Sequence, residues 1–324
     1  MSNIWLYLRL FAATALVLAP GIALARALGV KGVSAALAWA LTLLFGALAV
    51  TFALGSTLVL AAGILLVAGV AALGVRLVFP PETDKNSVPW AWLSGLIGGA
   101  LGILLWSVAG TVQGDGLFHL ARIRKLVELD ELSLEGIGEF EDASLHPGYA
   151  FPLWHGFVAL IARIARADPE LVVQHLPSVL APLAVVVAYE AGWAVFRRSW
   201  AAGAVAGAAA GLACFAPGNG GAYTLLALPA TSSRHLLVPA ALALAFVAIR
   251  TRSAAVYAST AAAGFVVAVV HPSYALFLWI PFGGYLFVRW WWTRRDLRAG
   301  LATACALVVP ASLFMLWLVP LAVD

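Results

Sequence analysis

Apolar residues run in long blocks along this chain, and polar residues are confined to the stretches between them. A helix needs about 20 apolar residues to cross the hydrocarbon core of a bilayer. Blocks of that kind lie at 4–24, 33–53, 56–78, 90–110, 176–196, 200–217, 234–250, 253–270, 272–290 and 299–321. They predict an all-α, polytopic bundle of about ten spans, because a backbone in lipid must satisfy its own hydrogen bonds. Several blocks are dense in small residues, as in GAVAGAAAGLA from Gly203, which lets helices approach closely. Aromatic residues gather at block ends, at Trp90 and Trp92 and at Trp290, Trp291 and Trp292. Two units follow: an N-terminal three-helix segment, 1–89, and a core, 90–324, that includes an outer loop at 111–175.

The pattern changes inside that loop. Leu117, Leu120, Ile123, Leu126 and Val127 recur at helical spacing and predict an amphipathic helix from Gly116 to Leu129. Residues 151–166 are apolar but short, with Arg163 and Arg166 on the last turns. They are expected to lie as an amphipathic helix at the outer interface. Counting them as a span would invert everything that follows.

Composition supports lipid as the main solvent: 63% of residues are hydrophobic, 10% are charged, and the mean hydropathy is +0.99. Basic residues sit at block ends with no polar face of interleaved aromatics, so nucleic acid is not an expected partner. With the N-terminus outside, 12 of the 19 basic residues face the cytoplasm, among them Arg26, Lys31, Arg76, Lys85, Arg197, Arg198, Arg250 and Arg252. Loop 111–150 then faces outward. Cleavage at an Ala23-Leu24-Ala25 signal site would break this charge pattern. Cys214 and Cys305 lie in apolar runs and read as small buried hydrophobes.

Eight of the 15 acids fall in 111–150: Asp115, Glu128, Asp130, Glu131, Glu135, Glu139, Glu141 and Asp142. Asp115 stands between Gly114 and Gly116, placed either to cap the following helix or to act as a carboxylate at the membrane rim. His119 lies one turn later and Arg122 continues that face. Together they could deprotonate a hydroxyl and bind a phosphate. Glu128 to Asp142 reads as a solvated face or a mobile lid without cation-ligand spacing, so neither a metal nor a cofactor is expected. His146, in His146-Pro147-Gly148-Tyr149, ends the loop. Arg234 and His235 open a span, and His271 breaks an apolar hairpin, where an imidazole needs a cavity or a partner. Glu190, inside an apolar run, reads as a partner for Arg197 and Arg198.

Three stretches, GDGLFHLARIRKL at 114–126, HPGYAFPLWHGFVALIARI at 146–164 and PSVLAPLAVVVAYEAGWAVFRR at 177–198, resemble the GT-C clan of membrane glycosyltransferases. That clan includes protein O-mannosyltransferases, aminoarabinose transferases and mycobacterial arabinosyltransferases. The resemblance covers roughly 90–200 well and continues loosely to the C-terminus. It implies an enzyme of the inner (plasma) membrane with its active face outside the cytoplasm. Such an enzyme moves a sugar from a polyprenyl-phosphate donor to a glycan, lipid or protein acceptor. The acid that acts as base or positions the acceptor would be Asp115, with His119 beside it. Arg122, Arg124, Lys125 and Arg234 would serve the donor phosphate, with His146, His235 and His271 as further substrate contacts. The chain departs from the clan's pattern in having a lone Asp115 where many members carry two acids, and His-Pro-Gly where they carry His-Pro-Pro.

Two other classes fit a helical membrane protein. A transporter or flippase should show inverted repeats and midplane polar residues, and no internal repeat is visible. A noncatalytic assembly subunit would keep the fold and tolerate loss of Asp115.

Overall fold

The computed structural model describes residues 2–80, 88–138, 145–146, 148–215, 222–293 and 297–323. Among them the fold is helical throughout, with no strand. The helices are α1 (Ser2–Ala27), α2 (Val33–Ala53), α3 (Leu58–Val78), α4 (Ala91–Ser107), α5 (Asp115–Glu128), α6 (Leu153–Ala165), α7 (Pro169–Phe196) and α8 (Ser199–Phe215). They continue as α9 (Pro229–Thr251), α10 (Ala254–Val270), α11 (Pro272–Thr293) and α12 (Arg298–Val323). Each of the ten apolar blocks holds one of these helices. Six of these, α1, α2, α3, α7, α9 and α12, are long and apolar enough to cross a membrane. Large apolar side chains such as Leu66, Val67, Leu96, Ile97, Phe277, Ile280 and Leu313 point outward, as a lipid-facing surface requires.

Helix α7 is the axis of the bundle, buried along most of its length. It runs 28 residues, about 42 Å at 1.5 Å per residue. It begins at Pro169, earlier than the apolar block, because Asp168 accepts a hydrogen bond from the Glu170 amide (2.8 Å) and Pro169 fits the first helical position. Helix α4 lies against α7 through glycines. A Cβ on Gly102 would stand 2.3 Å from the Ser178 carbonyl oxygen. Gly264 does the same between α10 and α12, where a Cβ would meet the Leu307 carbonyl oxygen at 2.4 Å.

Three expectations change. Helix α6 does not lie on a surface: every residue from Leu153 to Ala162 is buried, packed among α1, α2, α5 and α7. Its 13 residues reach only about 20 Å, too short for a crossing. Glu190 does not pair with Arg197 or Arg198. Its carboxylate accepts from the backbone amides of Val33 (2.8 Å) and Ser34 (2.9 Å) and from the Ser34 hydroxyl (2.5 Å), capping α2 from across the bundle. Cys214 and Cys305 are exposed, on outward faces of α8 and α12.

The acidic loop is tethered. The Leu132 amide donates to the Ser56 carbonyl (3.0 Å), and Leu132 and Ile137 are fully buried. Asp130, Glu131 and Glu135 face outward, as a solvated face should. Glu139, Glu141, Asp142 and Pro147 lie outside the described residues, as do Lys85, Arg294 and Arg295.

The bundle is polarised. One end carries Lys31, Arg197 and Arg250 around a common cavity. The opposite end carries α5, α6 and the turn between α10 and α11.

Candidate functional site

Helix α5 starts from Gly114, whose backbone (φ 56°, ψ −128°) lies where only glycine is comfortable. No side chain caps the helix, so the capping reading of Asp115 falls. Asp115 is instead the first helical residue, favoured there by the helix dipole, and its carboxylate is 75% exposed.

One turn on, His119 is fully buried, and its Nε2 stands 3.4 Å from Asp115 Oδ2. Its Nδ1 lies 2.9 Å from Nε2 of His155, which α6 brings in from 36 residues away. In one assignment His155 Nε2–H donates to His119 Nδ1, which puts the remaining hydrogen on His119 Nε2, on the carboxylate side but without a hydrogen-bond partner among the described residues. Burial drives the His119 pKa down to about 4, against the opposing pull of Asp115. At neutral pH the site therefore holds a neutral imidazole behind the acid.

Tyr149 is the hub. Its ring meets His119 (5.0 Å between centroids), His155 (5.8 Å) and His271 (5.5 Å), each edge to face. Burial first, then the Asp115 charge, pushes its hydroxyl up to about 12, so it remains a proton donor. The Tyr149 carbonyl accepts from Arg122 Nη1 at 2.8 Å. Arg122 is buried, with its guanidinium 5.7 Å from the Phe118 ring, so it supports the hub from beneath. The expected phosphate contact thus sits beneath the hub, with Nη1 turned to the Tyr149 carbonyl.

His271 ends α10, and its Nδ1 lies 2.8 Å from the Ser273 hydroxyl. Burial lowers its pKa. Beside it, the Tyr274 hydroxyl accepts from Arg234 Nε (3.1 Å) and Nη2 (2.7 Å), which brings an exposed guanidinium to the rim. His146 packs near Tyr149 (5.2 Å) and Phe118 (5.9 Å), and its Nδ1 accepts from the Gly148 amide (3.0 Å).

Three expected residues point elsewhere. Arg124 binds Glu170 (3.1 Å) and approaches Asp168 (3.8 Å) at the start of α7. At 100° per residue it lies about 180° around α5 from Asp115. Lys125 donates to the Gly138 carbonyl, tying down the acidic loop. His235 meets Tyr223 edge to face (5.1 Å), in a π-helical turn at Ser233–Leu237.

Sequence reasoning missed His155, Tyr149, Ser273 and Tyr274. His155 carried a usable signal, since an imidazole inside FPLWHGFVALI needs a partner as much as His271 does. Among the described residues no three His, Cys, Asp or Glu side chains are placed to hold a metal ion.

Two cavities flank the site. One of about 260 Å³ adjoins the start of α5, with Gln113, Gln174 and Thr224 in its walls. A second, of about 620 Å³, is mainly apolar, bounded by Phe45, Phe52, Phe151, Phe314 and Trp317, with Ser133 and Glu135 also in its wall. Phe151, in its wall, follows Tyr149 by two residues in the chain.

No curated protein and no solved structure matches the chain. A family model does, over residues 14–323, a range that contains every residue of the site and both cavities. The chain therefore belongs to DUF6541, a family of unknown function.

Proposed function

We propose that this protein is a ten-span, GT-C-like glycosyltransferase of the inner membrane. It takes a sugar from a polyprenyl-phosphate donor and passes it to an acceptor hydroxyl outside the cytoplasm. The observation that carries the reading is the line Asp115–His119–His155, an exposed carboxylate backed by two buried imidazoles at one end of an apolar bundle. In this chemistry Asp115 takes the acceptor proton as the acceptor oxygen attacks the anomeric carbon. The bond from that carbon to the phosphate oxygen breaks, and its electron pair leaves with the phosphate. His119 orients the base, and His155 fixes which nitrogen of His119 carries the hydrogen. Arg234, held by Tyr274, and His271 are the groups best placed to receive the leaving phosphate. The mainly apolar cavity bounded by Phe151 suits a polyprenyl tail.

A reconstituted system tests this reading. Proteoliposomes holding radiolabelled polyprenyl-phosphate sugar should convert label to a new glycoside and release unglycosylated polyprenyl phosphate. Movement of intact donor between leaflets, with no bond broken, would point to a flippase instead.

A further inference from the structure

The opposite end of the bundle carries a second site, independent of the chemistry at Asp115. Lys31 from the α1–α2 turn, Arg197 from the end of α7 and Arg250 from the end of α9 line one cavity of about 320 Å³. Its remaining walls include Trp193, Val247 and Val256. Arg197 is held over the Trp193 ring at 4.7 Å, and Arg250 donates to the Ala194 carbonyl near the end of α7. The two guanidinium groups act on each other with charges of the same sign. Among the described residues no carboxylate lies within 4.0 Å of either. Glu190, the nearby acid, is spent on the amides of α2.

Like charges fixed at the mouth of an apolar-walled cavity repel until an anion sits between them. Random placement of basic residues on the inner face would satisfy charge orientation without building a shared cavity. A phosphate group fits the guanidinium geometry, and apolar walls behind it suit a glycerol or the first methylenes of a chain. We propose that this cavity binds a phosphate-bearing anion, either a phospholipid headgroup or a soluble phosphate ester.

The test uses the full chain in phosphatidylcholine nanodiscs, followed by thermal unfolding. Phosphatidylglycerol in the disc, or soluble glycerol phosphate, is titrated as the probe. A rise in Tm with phosphatidylglycerol alone identifies a lipid source, and a rise with glycerol phosphate a free one. Either supports the site if the R197Q/R250Q double variant lowers apparent affinity at least about tenfold, equivalent to about 1.4 kcal/mol. Loss of the Arg250 bond to Ala194 could unfold that variant, so Val247→Trp, which fills the cavity and keeps both charges, is the second arm. It should abolish the rise. Arg76→Gln, at the end of α3 and outside the cavity, should keep it. No rise with either probe, a rise that survives Val247→Trp, or an equal loss in Arg76→Gln would overturn the proposal.

Discussion

At the scale of single residues, the site is built by placing neutral imidazoles behind one exposed acid. Burial lowers the His119 pKa from 6.5 to about 4, so the unfolded chain binds a proton in that interval that the folded chain does not. Stability contributed by this group is complete above about pH 6.5 and is lost as pH falls toward 4. The slope for one such proton is about 1.4 kcal/mol per pH unit. His119→Gln should flatten that slope, as read by denaturation between pH 4 and 7 in detergent. A His155→Phe variant removes the donor to His119 Nδ1. Nitrogen-15 NMR of His119 should then show a mixture of tautomers where the wild type shows one, and His155→Gln should restore much of the single form. Part of this was legible beforehand. Asp115, His119 and Arg122 share a face because helical spacing requires it, and the same spacing turns Arg124 away. His155 was not legible as a partner, because its contact with His119 spans 36 residues and depends on how α6 is buried.

At the scale of elements, close helix approach decides what the bundle tolerates. Gly102→Leu would drive a side chain into the Ser178 carbonyl and should lower stability by about 1–3 kcal/mol, measurable as a drop in Tm. Glu190→Ala would leave the Val33 and Ser34 amides without their acceptor in a buried setting, at a cost of roughly 2–4 kcal/mol. All ten apolar blocks were readable from hydropathy alone, with ends near those observed. The early start of α7 was not, because residues 169–175 include Glu170, Gln174 and His175 and look like loop to an apolar pattern. Glu190 was misread for a related reason. Sequence distance favoured Arg197, whereas packing placed it against an α2 terminus 157 residues away. The fate of α6 shows the limit of amphipathic patterns: Arg163 and Ile164 mark its outward edge, and neighbouring helices cover the rest.

At the scale of the whole molecule, the two ends of the bundle differ in charge. Arg26, Lys31, Arg197 and Arg250 gather at one end, and Asp115 with its imidazoles at the other. The positive-inside bias predicts that Glu131→Cys, in a background lacking Cys214 and Cys305, reacts with a membrane-impermeant maleimide on intact cells. Lys31→Cys should react only after permeabilisation. The central claim is that the Asp115 carboxylate is the base for sugar transfer, and Asp115→Asn tests it most directly. The exchange removes the base and hardly alters shape at an exposed position. With labelled polyprenyl-phosphate sugar, Asp115→Asn should fold with unchanged Tm at neutral pH and transfer label about 10²–10⁴-fold more slowly than wild type. Transfer by Asp115→Asn at the wild-type rate would contradict the account.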